Sequence, residues 1–203
     1  MTFNTENFVE SILSSIDRMG YIKSDEIPNI ELYMDQLTSF MEKRLANTRR
    51  NESDKIMTKT MINNYTKNDL LPPPERKRYG RDHIMMLLFI YYFKNILSMS
   101  DIKKLLGPLS KNYFNNSGEL KLSDIYDEMF EMSLAQREDL KKFVEEQTAS
   151  VMETCKGANK DNEDFLHLFA FICALGFDAY VKKLMIEKII DLMDDDGHPI
   201  KEK

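Results

Sequence analysis

Lys59, Asn63, Asn64 and Lys67 are spaced so that a helix through them would carry all four on its outward side, and Arg76, Lys77, Arg78, Tyr79 and Arg81 follow close behind. Amides and ammonium groups on a helix are the side chains that read base edges. Asn can pair bidentately with adenine, and Lys reaches guanine or a phosphate. Cations and a phenol in a short loop suit phosphate oxygens. The chemistry implied is non-covalent recognition of double-stranded DNA. Asn63, Asn64 and Lys67 are the expected base readers, and Lys59, Arg76, Lys77, Arg78, Tyr79 and Arg81 the expected phosphate contacts. A face of Asn, Thr and Lys is also what a solvated helix shows, and the adjacent basic loop tips the reading toward recognition.

Covalent chemistry finds no support. The chain has no Gly-rich phosphate loop, no HExxH, no GxSxG and no clustered Cys and His. It is expected not to be an enzyme and to need no metal or cofactor. His167 sits in an apolar helical stretch and reads as a hydrogen-bonded core histidine. Asp194-Asp195-Asp196-Gly197 hints at a calcium loop, but with Gly197 at position six the first and last ligand positions fall on Leu192 and Lys203. An exposed acidic tail is the better reading.

The elements that would position the DNA-facing residues are legible. Thr58 is a suitable N-cap for a helix to about Asn68, with Met61, Ile62 and Tyr65 facing inward. Leu71-Pro72-Pro73-Pro74 stops it, because proline cannot continue a helix and biases its predecessor to extended backbone. After the basic loop, Arg81 or Asp82 opens a helix that is apolar nearly all round from Ile84 to Phe93 and must be the buried centre. Asp101 to Leu106 forms the next, with Gly107-Pro108 as its stop. Upstream lie helices over 5–19, ended by Gly20, and 30–46, started after Pro28-Asn29, then a polar loop over 47–55. Helix, turn, helix and basic loop are the layout of a winged helix-turn-helix.

The same residues resemble the MerR-type transcription regulators. Met61-Ile62-Asn63-Asn64-Tyr65-Thr66-Lys67-Asn68-Asp69-Leu70-Leu71-Pro72 looks like their TLRYYEREGLLP stretch. Arg78-Tyr79 stands where their wing ends, Asp82 to Ile90 looks like their DLxxLxFI helix, and Ser98 to Leu106 is similar to the helix that follows it. Asn63 stands in place of their recognition-helix Arg, and Asp69 in place of the Gly that caps that helix. The wording TKTMINNY is closer still to a bacterial family of unknown function. The resemblance implies an N-terminal DNA-binding domain over 1–108, a C-terminal helical dimerisation or effector domain over 119–203, and a homodimer that regulates transcription. It also implies an effector, an unidentified small molecule or protein.

Charge supports this division. Net charge is −6, yet residues 43–81 hold eleven cations against four acids, and residues 119–203 hold eleven against twenty. One basic block in an acidic chain is the footprint of a DNA-contacting module. Few strand signals and few Gly and Pro make the class all-α, and the fourteen Met imply a soft helical core. In the C-terminal part, 123–155 reads as one long helix or two broken near Ser133, followed by helices over 165–177 and 179–193. Cys155 and Cys173 have no CxxC spacing and read as free thiols of a reducing cytoplasm. The start MTFNTENFVE has no signal-peptide pattern, and the apolar runs 84–93 and 165–177 fall short of the ~20 residues of a membrane helix, so a soluble cytoplasmic chain is expected. Two other readings remain. One is a helical protein-interaction module on a winged-helix relic. The other is a small-molecule binder with a pocket lined by Phe165, Phe169, Phe171 and Met residues.

Overall fold

The computed structural model describes residues 5–17, 21–154 and 160–200. It is 68% helix and 4% strand, so the chain is all-α. The elements are α1 (Thr5–Asp17), β1 (Leu32–Tyr33), α2 (Met34–Arg44), α3 (Lys59–Lys67), β2 (Arg78–Tyr79), α4 (Arg81–Phe93), α5 (Met99–Tyr113), α6 (Leu122–Ala135), α7 (Arg137–Met152) and α8 (Lys160–Asp191). They divide into two compact units, and neither is one stretch of chain. One joins the residues up to Tyr21 to Met129–Leu184; the other joins Ile22–Glu128 to the residues from Met185 onward. The split expected between 108 and 119 is therefore not where the chain divides, because α1 packs on α7, far away in sequence.

The Ile22–Glu128 unit is built round α4, as its apolar run requires. Every residue from His83 to Tyr91 is buried. Leu37 and Met41 of α2, Ile62 and Tyr65 of α3, and Ile102 and Leu106 of α5 complete this core. Fully burying a Leu, Ile or Met stabilises by about 1.5–3 kcal/mol over leaving it exposed. α6 closes the unit: the Tyr126 hydroxyl donates to the Ile22 carbonyl at 2.7 Å, and its ring meets Phe89 edge-on at 5.4 Å. Asp127 accepts from the Ser24 amide at 2.9 Å.

Three boundaries differ from those expected. α2 begins at Met34 and not Ile30, since Leu32 and Tyr33 pair as a strand and the Tyr33 amide donates to the Gln36 side chain at 2.9 Å. α5 runs through Pro108 to Tyr113. The C-terminal turn covers that proline: Gly197, at φ +85°, sits so near that a Cβ there would lie 3.1 Å from the Pro108 ring, and Lys111 pairs with Asp196 at 2.6 Å. The acidic run Asp194–Asp196 is thus part of a turn, with the Asp194 carboxylate accepting from the His198 and Asp196 amides. Third, α8 is one helix of 32 residues and not two, because Gly176 lies inside it instead of ending it. The Gly20 stop and Cys155 lie outside the described residues.

In the other unit, Val144 and Val151 of α7 and Phe171 of α8 form a small core against Phe8, Ile12 and Ile16 of α1. Lys141 bridges Asp17 at 2.6 Å and Glu138 at 3.1 Å. The break between α6 and α7 comes at Gln136. His167 is buried with Nε2 3.3 Å from the Thr154 carbonyl, as a core histidine should be. The cleft beside Phe171 has room for about one water, and Phe165 and Phe169 lie exposed outside it. By length and composition α8 could cross a membrane. The sequence expectation differed because it ended the apolar helix near Gly176.

Candidate nucleic-acid interface

β1 and β2 form an antiparallel pair with Leu32 opposite Tyr79 and Tyr33 opposite Arg78. The chain enters β2 through a two-residue turn, where the Arg78 amide donates to the Glu75 carbonyl at 2.8 Å. Arg76 and Lys77 occupy its centre at φ +48° and +63°. Positive φ at both central positions is the type I′ geometry, whose twist suits a hairpin and which normally selects Asn-Gly. Left-handed backbone costs a non-glycine residue roughly 1–3 kcal/mol and tends to persist at functional sites. The two cations are thus displayed at the tip on strained backbone. No Asn or Gly marks this turn in the sequence, which reads only as a short basic loop.

α3 presents the amides. Thr58 caps it, its hydroxyl accepting from the Met61 amide at 3.2 Å. At the other end Asp69 takes left-handed φ +58°, the Leu70 amide reaches back to the Tyr65 carbonyl at 2.9 Å, and Lys103 pairs with Asp69 at 3.0 Å. With Ile62 and Tyr65 buried, Lys59, Asn63, Asn64 and Lys67 are left exposed. α2 packs against both α3 and β2, so one helix supports the amide face and the hairpin.

The expected contact residues fall into three groups. Asn63, Asn64, Lys67, Arg76 and Lys77 are exposed, and among the described residues their side chains make no hydrogen bond or ion pair. Lys59 and Arg78 are accessible but already face acids, Lys59 pairing with Asp35 of α2 and Arg78 with Glu31 at 3.1 Å. Tyr79 and Arg81 depart from the expectation. Strand alternation turns Tyr79 inward, leaving it 4% exposed, and burial raises its phenol pKa. Arg81 folds back on the chain before β1, donating Nε to the Ser24 carbonyl at 3.0 Å and Nη2 to the same oxygen.

The long connection between α2 and α3 is held at several points, none of them visible in the sequence. Glu42 accepts from the Ile56 amide at 3.1 Å with one carboxylate oxygen and pairs with Arg49 through the other. Lys94, at the end of α4, donates to the Ile56 carbonyl at 3.0 Å and lies 4.8 Å from the Tyr91 ring centre; burial lowers its pKa. Ile56 and Met57 are buried. The connection is thus a defined loop that fixes the start of α3.

Behind the hairpin lies His83, buried between Tyr79 and Phe114, whose rings meet it edge-on at 5.4 and 4.7 Å. Its Nδ1 accepts from the Gly80 amide at 3.1 Å, closing the first turn of α4. Nε2 is buried with the Pro73 and Pro72 carbonyls near it but outside hydrogen-bond geometry. Burial lowers its pKa, and those carbonyls, Asp82 and Glu31 oppose the shift only in part. Because the folded value is depressed, the unfolded chain takes up this proton first. Stability is full above about pH 6.5 and falls as pH drops from there through the folded value. Urea melts across that range should show the fall in wild type and lose it in His83→Asn, which keeps an acceptor without the titration. Equal slopes would mean that His83 does not titrate there.

Residues 22–129 match the family described as a domain of unknown function (DUF1836), a stretch that nearly coincides with the Ile22–Glu128 segment. No curated protein and no solved structure matches the chain.

Proposed function

The chain belongs to the DUF1836 family, and from that premise we propose that its Ile22–Glu128 unit is a divergent winged helix-turn-helix, resembling those of MerR-type regulators, that binds duplex DNA to regulate transcription. One observation carries the reading. Exposed amides on α3 and two exposed cations on a strained hairpin tip, supported by the same helix, have no partner among the described residues. In this reading Asn63, Asn64 and Lys67 meet base edges, and Arg76 and Lys77 meet phosphates. Lys59 and Arg78 join by exchanging Asp35 and Glu31 for phosphate. Tyr79 and Arg81 hold the hairpin instead of touching DNA. The role is binding without catalysis.

The test is titration of fluorescent genomic-fragment DNA at about 50 and 200 mM salt. Four phosphate-facing cations, Lys59, Arg76, Lys77 and Arg78, give an expected log–log slope of roughly −3 to −4, or about a hundredfold loss across that range. Preferential retention of some fragments would mark specificity. Folded protein that holds no duplex at the lower salt would sink the reading. The alternative is a protein-interaction module on the same scaffold, and the Lys59–Asp35 and Arg78–Glu31 pairs favour it, since they cover part of the basic surface with acid.

A further inference from the structure

The two ion pairs that cover Lys59 and Arg78 come from one short segment, Glu31 to Asp35. Glu31, just before β1, and Tyr33 are exposed on either side of the buried Leu32. Asp35 follows in the first turn of α2. Glu31 meets Arg78 of the hairpin at 3.1 Å, and Asp35 pairs with Lys59 of α3. One segment thus sets acid against both halves of the candidate interface. Four residues of chain span at most about 14 Å, and the Debye length at 0.1 M salt is ~10 Å, so a polyanion near one acid feels both.

Stability does not account for these pairs. Lys59 is 58% and Asp35 78% exposed, Arg78 and Glu31 are likewise accessible, and exposed pairs contribute little. Lys59 also stands at the first residue of α3, where the helix dipole disfavours a cation. Packing does not account for Tyr33 either. Its ring is 56% exposed, and its hydroxyl makes no hydrogen bond among the described residues. It lies directly opposite Arg78, and partners across an antiparallel pair share a face. The phenol expected to reach phosphate from Tyr79 is therefore displayed on the next rung, by Tyr33.

The geometry points to Glu31–Asp35 as a third element of the DNA interface, with Tyr33 as a phosphate contact and the two acids as a brake. This role rests on the proposed binding of duplex DNA and deepens it. In the free protein each acid occupies the place that a phosphate would take. Docking must break both pairs and leave two carboxylates beside the phosphate backbone, where like charge repels. Every sequence is then held more weakly by the same factor, and sequence preference stays with α3. Tyr33 pulls the other way, its hydroxyl donating to a phosphate oxygen. The acids and the phenol therefore move affinity in opposite directions, which a merely structural segment would not do.

Titration of the full chain and its variants with genomic-fragment duplexes at about 50 mM salt tests it. Glu31→Gln with Asp35→Asn should tighten binding of every fragment by roughly tenfold. Tyr33→Phe, which keeps the ring, should weaken it by roughly three- to tenfold. Urea midpoints should stay close to wild type, since all three side chains are exposed. Most of the gain should disappear when the acids are replaced in a Lys59→Gln, Arg78→Gln background, which leaves them nothing to hold. Unchanged affinity in the acid or the phenol variant, shifts of the same sign, or a full gain in that background would each overturn the assignment while wild-type DNA binding stands. Failure of the wild type and of every variant to hold any duplex would overturn the DNA reading and the brake together.

Discussion

Arg76→Asn with Lys77→Gly is expected to make the protein more stable and a poorer DNA ligand at once. In the native turn both residues have left-handed backbone, which costs each roughly 1–3 kcal/mol. Asn tolerates that region and Gly has no preference against it, so the strain is relieved. Glycine returns up to about 1 kcal/mol through the greater freedom it gives the unfolded chain. The net gain is about 2 kcal/mol, read as a rise of roughly 4–8 °C in the melting midpoint for a chain of this size. The same change deletes the two hairpin cations that pair with no acid among the described residues, so the log–log salt slope for DNA should flatten by about two units. The two readouts separate two claims. A midpoint that falls would mean that the turn is not strained as described. A midpoint that rises over an unchanged slope would remove the hairpin from the interface and leave α3 alone to carry it.

Leu88→Ala is the largest single loss expected. Leu88 is wholly buried in α4, at the centre of a helix without an exposed face between His83 and Tyr91. Truncation removes apolar burial and leaves a void that rigid neighbours fill only in part, at about 2–5 kcal/mol. A domain stable by roughly 5–15 kcal/mol keeps only a part of that margin. α4 also backs the hairpin through Gly80 and Arg81, so DNA binding should fall along with the urea midpoint. A loss under about 1 kcal/mol would mean that the core collapses round the deletion and that α4 is not the close-packed centre it is taken for.

What the sequence could disclose was whatever depends on neighbours along the chain. The Thr58 cap, the Pro72–Pro74 stop and the all-apolar α4 follow from local rules, and they stand as expected. The inward side of α3 is likewise local. What failed depends on partners distant in sequence. Nothing near Pro108 tells that the Gly197 turn will cover it, and nothing near Arg81 tells that the Ser24 carbonyl will take its guanidinium. Tyr79 read as a surface aromatic because its strand exists only through pairing with Leu32. The left-handed Arg76-Lys77 turn was hidden for the opposite reason: its residues break the local rule for the geometry they adopt. Of the candidate interface, then, the residue types and the outward face of α3 were legible, while the burial of Tyr79 and the inward engagement of Arg81 were not.

The packing of α1 on α7 has a consequence for how the chain is made. α1 leaves the ribosome before α7, the helix that covers its Phe8, Ile12 and Ile16 and lies about 120 residues behind it, and at ~5–20 residues per second that is a wait of roughly 6–24 s. Throughout that interval an amphipathic segment is tethered to nascent chain with its apolar side uncovered. A chaperone that holds short apolar helices would find its substrate there, and slowing translation between α1 and α7 would lengthen the exposure without changing a single residue of the finished protein.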